Sequence, residues 1–332
     1  MTEKKIKTNY NMISYLRILA WFLILRGHYL SLFTVPDALK KGIILGAGPV
    51  VIFFVISGFL TYHSLEYTGK KEYYIRRAWR IMPPYYIILL CALLYNTIVK
   101  SGFNVLAALR YFTFTNMLLP SNDFEIANNI YGFWTMSCFG VFYILAPFLM
   151  RLIQKFNKTH IIVIASVFVM LISRFAVNFA FGNKGYDNVK GMSIIAPFSV
   201  LYLFMLGMCV AHEVARNNQK GMLLFLGTFL LAMLILEQQG YVLWGCVTAL
   251  LLLTPSFECR LEKNRIWEKI INFLDRNSFQ MYLIHLLIAD IWTHFFGTTF
   301  RDMIVCVVLT LILGELLTRI SECFVKASRR IR

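Results

Sequence analysis

Two histidines stand inside apolar runs: His28 in YLRILAWFLILRGH and His285 in SFQMYLIH. With an ordinary pKa of about 6.5, imidazole takes and returns protons near neutral pH. Ionisable groups in hydrocarbon are costly, about 2.5–3.5 kcal/mol for a basic residue at a helix centre on insertion scales, and they mark pathways or sites. Arg17 and His28 are 11 residues apart. On a helix that spacing is about 20° past three full turns, so the two share a face about 16 Å apart along the axis. Arg26 falls on another face, near the outer boundary, and reads as an anchor. Ser278, Tyr282 and His285, at spacings of four and three, share a second face. A polar interior with a base for proton transfer is the chemistry these positions allow.

A third group is the run YYIRRAWRIMPPYY. Arg76, Arg77 and Arg80 precede Pro83 and Pro84, which are expected to begin the following span. Simple topological anchoring accounts for basic residues at such a place. Arg77 and Arg80 are also neighbours on a helix face, and guanidinium forks suit phosphate. Among the other polar positions, Glu315 and Arg319 are four apart and read as an intrahelical pair. Asp290 adds to the polar positions, and Arg174 has no sequence-local partner. Trp134 suits an interfacial aromatic belt. Ser57 and Gly58, in VVIFFVISGF, are small enough to let helices approach closely.

The elements that must position these groups are membrane spans. The chain has 332 residues, 58% hydrophobic and 15% charged, with mean hydropathy +0.64. Soluble domains average about 45–50% apolar and about 25% charged. The expected fold is all-α and polytopic: a single unit over 1–332, a bundle of about ten spans with both termini cytoplasmic. The spans are 13–33, 43–64, 82–99, 131–151, 160–181, 193–213, 221–237, 240–256, 278–297 and 303–323. In this arrangement 22 of the 33 Lys and Arg fall in cytoplasmic segments and seven in outer loops, the asymmetry that orients membrane proteins. The net charge of +16 is thereby assigned to topology rather than to nucleic acid. FNVLAALRYFTFTNML, in the longest outer loop, is amphipathic and is expected to lie along the membrane face. Asp123 and Glu125 follow it, in a stretch that suits a pocket lip and an ordinary connector equally. The seven cysteines form no C-x-x-C pair and read as buried thiols, with no disulfide or metal framework. The first apolar run is read as a retained helix, because two Arg and a His interrupt it and no cleavage pattern follows.

These stretches, taken in order, resemble the acyltransferase-3 family of membrane acyltransferases. The shared features are Arg17-x10-His28, FFVISGF at 53–59, Arg77-x-x-Arg80 followed by Pro83 and Tyr85, Trp134 to Pro147, YLFMLGMCVA at 202–211, and SFQMYLIH. The resemblance implies a ten-helix bundle in the plasma or inner membrane. It also implies transfer of an acyl group, most often acetyl, from cytosolic acyl-coenzyme A to a hydroxyl of a surface glycan or its lipid-linked precursor. His28 would be the catalytic base or a transient acyl carrier, and Arg17 would orient the donor or offset charge within the bundle. Arg76, Arg77 and Arg80 would hold the donor's phosphates. Trp134, Ser278, Tyr282 and His285 would line the acceptor's path. No metal and no fused extracytoplasmic domain are expected. One position departs from the family pattern: Phe139 stands where many members carry a glutamate. A transporter or flippase with a polar path, and a non-catalytic member of the same fold, are the alternatives.

Overall fold

A computed structural model describes residues 10–40, 48–99, 104–118, 130–182, 189–235, 239–253 and 265–330. The described residues form helices without strands: α1 (Tyr10–Leu32), α2 (Asp37–Lys40), α3 (Val50–Tyr67), α4 (Lys70–Val99), α5 (Val105–Phe112), α6 (Trp134–Phe156), α7 (Thr159–Phe181), α8 (Val189–Ile195), α9 (Pro197–Arg216), α10 (Gln219–Ile235), α11 (Gln239–Leu253), α12 (Arg265–Phe295) and α13 (Phe300–Arg330). Each predicted span falls on one of them. Six stretches are long and apolar enough to cross a membrane: α3, α4, α6, α7, α8 with α9, and α13. α1 falls short because Arg17, Arg26 and His28 lower its hydropathy. The polar residues of α12 do the same, and α10 and α11 are shorter, at 17 and 15 residues.

Helix ends follow local chemistry. Asn157 ends α6 and Asn217 ends α9, both in the left-handed region (φ 53° and 52°), which asparagine tolerates better than most residues. Pro197 occupies the first turn of α9 and separates it from α8, since proline cannot donate to the preceding turn. α5 is capped by Asn104, whose side chain accepts from the backbone N–H groups of Leu106 and Ala107. Ala107, Ala108 and Tyr111 are buried while Val105, Leu106 and Leu109 are exposed. The amphipathic reading of this stretch is therefore realised as a helix. Asp123 and Glu125 lie outside the described residues.

Two differences from expectation matter for the site. The prolines of α4 do not begin a helix: it starts at Lys70 and runs through Pro83 and Pro84. Their missing N–H groups leave the carbonyls of Trp79 and Arg80 without helical donors, a local cost the tertiary packing of α4 absorbs. α12 starts at Arg265, more than a turn earlier than the predicted span. Both extensions carry charged residues in rigid helix rather than in loops.

The centre of the bundle is α9, buried along almost its whole length and packed on α3, α6 and α7. At its crossing with α3, a Cβ on Gly207 would lie 1.9 Å from the Val55 carbonyl oxygen, and one on Gly58 2.0 Å from that of Phe204. The glycines let two backbones touch, as small residues do in membrane bundles. Below this crossing a polar network fastens four helices: Tyr62 Oη lies 2.8 Å from His212 Nδ1, His212 Nε2 2.9 Å from Asn157 Oδ1, and Thr159 Oγ1 donates to Glu213 at 2.6 Å. Among the described cysteines all are free, with Cys138, Cys209, Cys246 and Cys306 buried and Cys91 and Cys323 exposed.

Candidate functional site

α1 packs along α12, and the shared face expected of Arg17 and His28 is the face that meets it. The contacts form two rungs. On the lower, Arg17 Nη1 donates to Asp275 Oδ1 at 3.0 Å, and Ser14 Oγ donates to Asp275 Oδ2 at 2.8 Å. On the upper, His28 Nδ1 lies 2.8 Å from His285 Nε2. Eleven residues separate the rungs on α1 and ten on α12, so the helices run parallel and in register, with about 15–16 Å of rise between rungs. Beside the upper rung, Tyr29 Oη donates to the His285 carbonyl at 3.2 Å and lies 2.9 Å from Thr310 Oγ1, tying in α13. Arg26 leaves this face and donates to the Leu39 carbonyl at 3.0 Å, consistent with an anchor.

A cavity of about 120 Å³, open to the exterior, extends from the lower rung. Arg17, Arg77, Arg80, Asp275 and Arg276 supply its charged lining. Phe53, Ile56, Met136, Phe139 and Phe279 supply apolar lining, and Thr135, Ser278, Gln280 and Tyr282 line it with hydroxyl and amide side chains. A second cleft shares Arg17, Arg77, Arg80 and Asp275 and adds Ser14, Ser64 and Arg76. Five arginines thus meet one acid among the lining residues. Arg76 is committed to Glu72 at 2.6 Å, and Arg276 to Glu322 at 3.0 Å and Glu315 at 3.4 Å. Among the described residues neither Arg77 nor Arg80 forms an ion pair within 4 Å with a carboxylate, though Asp275 acts on Arg80 from farther away. Arg77 donates to Thr61 Oγ1 at 3.2 Å and lies over the Tyr143 ring at 4.9 Å. Tyr143 is itself held by Ser57, at 2.6 Å between hydroxyls. Arg80 interacts with Arg17 and Arg77 at once and keeps an exposed side-chain surface on the cavity. Like charges gathered in this way favour an anion between them.

The remaining expected site residues divide. Tyr282 lines the cavity but its hydroxyl is occupied: it donates to the Gly132 carbonyl at 2.8 Å and lies 3.1 Å from Thr135 Oγ1. Ser278 donates back to the Asp275 carbonyl at 2.9 Å. Neither histidine lines the cavity; the Tyr282 ring lies 5.8 Å from that of His285. Trp134 is 4% exposed and meets Phe54 edge-on at 5.8 Å. That is a core position rather than an interfacial belt, and it lies off the cavity lining. Phe139 lines the cavity, nearly parallel to Tyr143 at 5.7 Å and edge-on to Phe54 at 5.2 Å. The position that departs from the family pattern is thus an aromatic wall next to the ring that carries Arg77. Glu315 and Arg319 form their intrahelical pair at 2.7 Å, and Glu315 also accepts from Asn277 Nδ2 at 2.8 Å. Sequence reasoning missed Asp275. The available signal was its ten-residue spacing from His285, which mirrors the spacing of Arg17 and His28.

A family model described as an acyltransferase domain matches residues 10–319, nearly the whole chain. No curated protein and no solved structure matches it.

Proposed function

The chain belongs to the acyltransferase-3 family, and from that premise we propose that it transfers an acetyl group from cytosolic acetyl-coenzyme A to a hydroxyl of a cell-surface glycan or its lipid-linked precursor. The family and the run of apolar helices make it a multi-pass membrane acyltransferase; donor, acceptor and residue roles are the proposal. The observation that carries it is the two-rung register of α1 and α12, with an arginine-lined cavity at the lower rung and a histidine pair at the upper.

The donor set suits coenzyme A. Its diphosphate and 3′-phosphate match several guanidinium forks better than a single charge would, and Arg77 and Arg80 are uncommitted to carboxylates. Arg17 and Arg76 flank them on the connected cleft. The apolar lining of the cavity, at Phe53, Ile56, Phe139 and Phe279, suits an extended thioester arm. At the upper rung the His28 ring takes the proton of the acceptor hydroxyl as its oxygen attacks the thioester carbonyl. The tetrahedral intermediate then collapses, the C–S bond breaks, and the thiolate leaves with the proton returned by His28. The products are the ester and free coenzyme A. In this reading the chain crosses the plasma or inner membrane ten times with both termini inside, and donor and acceptor arrive from opposite sides.

Purified protein in lipid nanodiscs, given radiolabelled acetyl-coenzyme A and glycans bearing free hydroxyls, should form labelled ester. His28→Ala should lower kcat by about 10²–10⁴-fold, the usual worth of a positioned base. Undiminished transfer by that variant would sink the assignment of the base. Failure of the wild type to transfer to any hydroxyl, with uptake of the glycan into vesicles instead, would favour a transporter.

A further inference from the structure

The hydrogen bonds of the upper rung carry directional information, and from them we infer that His285 is a positioning residue that selects the ring nitrogen with which His28 acts. The inference rests on reading His28 as the base.

The Tyr282 carbonyl oxygen lies 2.6 Å from His285 Nδ1. A carbonyl only accepts, so His285 Nδ1 carries a hydrogen and donates it. A neutral imidazole has one ring hydrogen. His285 is 1% exposed, with no carboxylate hydrogen-bonded to either nitrogen among the described residues, and it is such an imidazole. Its Nε2 therefore holds a lone pair, and the contact at 2.8 Å requires His28 Nδ1–H to donate. The hydrogen of His28 is thereby placed on Nδ1, and Nε2 is left as the basic atom. The rings meet nearly parallel, at 19° and 5.1 Å between centroids, which holds the His28 plane. His28 is only half-buried, so Nε2 belongs to the ring that an acceptor can reach.

This is the general logic of an oriented base: a partner fixes the tautomer and the ring plane, and a further group fixes the partner. Here the chain is Tyr282 carbonyl, His285, His28, acceptor hydroxyl. When Nε2 takes the hydroxyl proton, His28 becomes an imidazolium whose Nδ1–H remains bonded to His285. The proton on Nδ1 stays where it is, and His285 remains neutral throughout. Loss of His285 removes the acceptor that fixes His28, so His28 can turn or take the other tautomer.

The test compares kcat and KM for His285→Leu, His285→Gln and His285→Asn with wild type and His28→Ala in nanodiscs, using acetyl-coenzyme A and the transferred glycan. Glutamine can place an oxygen where Nε2 sits and accept from His28; asparagine is polar but too short. The expected result is a kcat reduced by about 100-fold or more for Leu and Asn, KM for both substrates nearly unchanged, and recovery of at least about tenfold by Gln. If Leu does not fold, the Gln-against-Asn comparison decides alone. If His28→Ala is inactive while Leu and Asn stay within about threefold of wild type, His285 is no positioning residue. Equal loss in Gln and Asn would make it a packing residue and overturn the inference as well. An active His28→Ala would remove the base itself, and with it this inference, and is distinguishable from both.

Discussion

A guanidinium near a membrane surface is ordinary; two that line one cavity without a carboxylate ion pair among the described residues are not. Arg77 rests on Tyr143 and Thr61, and Arg80 faces Arg17 and Arg77. Arg77 is held by neutral groups and Arg80 is repelled by its neighbours, so an anion between them would be favoured. Hydrogen bonds to charged groups are worth about 1.5–3 kcal/mol, so Arg77→Ala should raise the KM for acetyl-coenzyme A by about 10- to 100-fold with a smaller change in kcat. Arg77→Lys should recover only part of this, because a point charge lacks the fork. Repeating the kinetics with donors that lack the 3′-phosphate assigns the contact: if Arg77 or Arg80 holds that group, its substitution costs little further with the truncated donor. A KM unchanged in both Arg77→Ala and Arg80→Ala would place the donor elsewhere. At this scale the sequence was legible where periodicity applies. The shared face of Arg17 and His28 follows from their spacing alone, and it proved to be the face on α12. Asp275 was not legible, because the residues before 278 read as loop and a loop carries no face.

Elements explain that limit. α4 and α12 both begin further upstream than their apolar runs, since a helix already nucleated extends into polar sequence at little cost. Hydropathy finds where lipid begins, not where the helix does. The prolines at 83 and 84 misled for a related reason: proline favours a first turn, but packing can hold it in the interior. Ser57 and Gly58 of FFVISGF were readable as close-packing positions; Gly207 of YLFMLGMCVA, their partner across the crossing, was not. Their crossing is testable. Because the atoms facing each missing Cβ are backbone, no rotamer change relieves the clash, and overpacking of this kind costs about 1–3 kcal/mol or more. Gly58→Ala and Gly207→Ala should each lower the Tm of the solubilised protein by several degrees, while Gly227→Ala, with nothing within 4 Å, should leave it unchanged or higher. The double variant should lose less than the sum, since helices pushed apart by one methyl already accommodate the other. Full additivity would mean that the two glycines do not share one contact.

Over the whole molecule, charge and site geometry impose the same polarity. The segments expected inside hold 22 of the 33 Lys and Arg, and they include Arg76, Arg77, Arg80 and Arg276, four of the five arginines that line the lower cavity and its adjoining cleft. The parallel register of α1 and α12 then puts the histidine pair about 15 Å further toward the opposite face. One orientation therefore serves both insertion and the proposed cytosolic donor; the reverse would turn the arginines away from it. Two exposed positions report this directly. Asp37, on α2 just beyond the His28 end of α1, is 89% exposed at its side chain. Lys158, in the turn between α6 and α7, is exposed near the polar network at the other end. In right-side-out vesicles, Asp37→Cys should react with a membrane-impermeant maleimide above the wild-type background, and Lys158→Cys should react only after permeabilisation. Six crossings instead of ten, or an inverted bundle, would change the side of at least one of these positions or of Cys323. Labelling of Lys158→Cys in sealed vesicles would therefore overturn the proposed topology, and with it the route by which donor and acceptor meet.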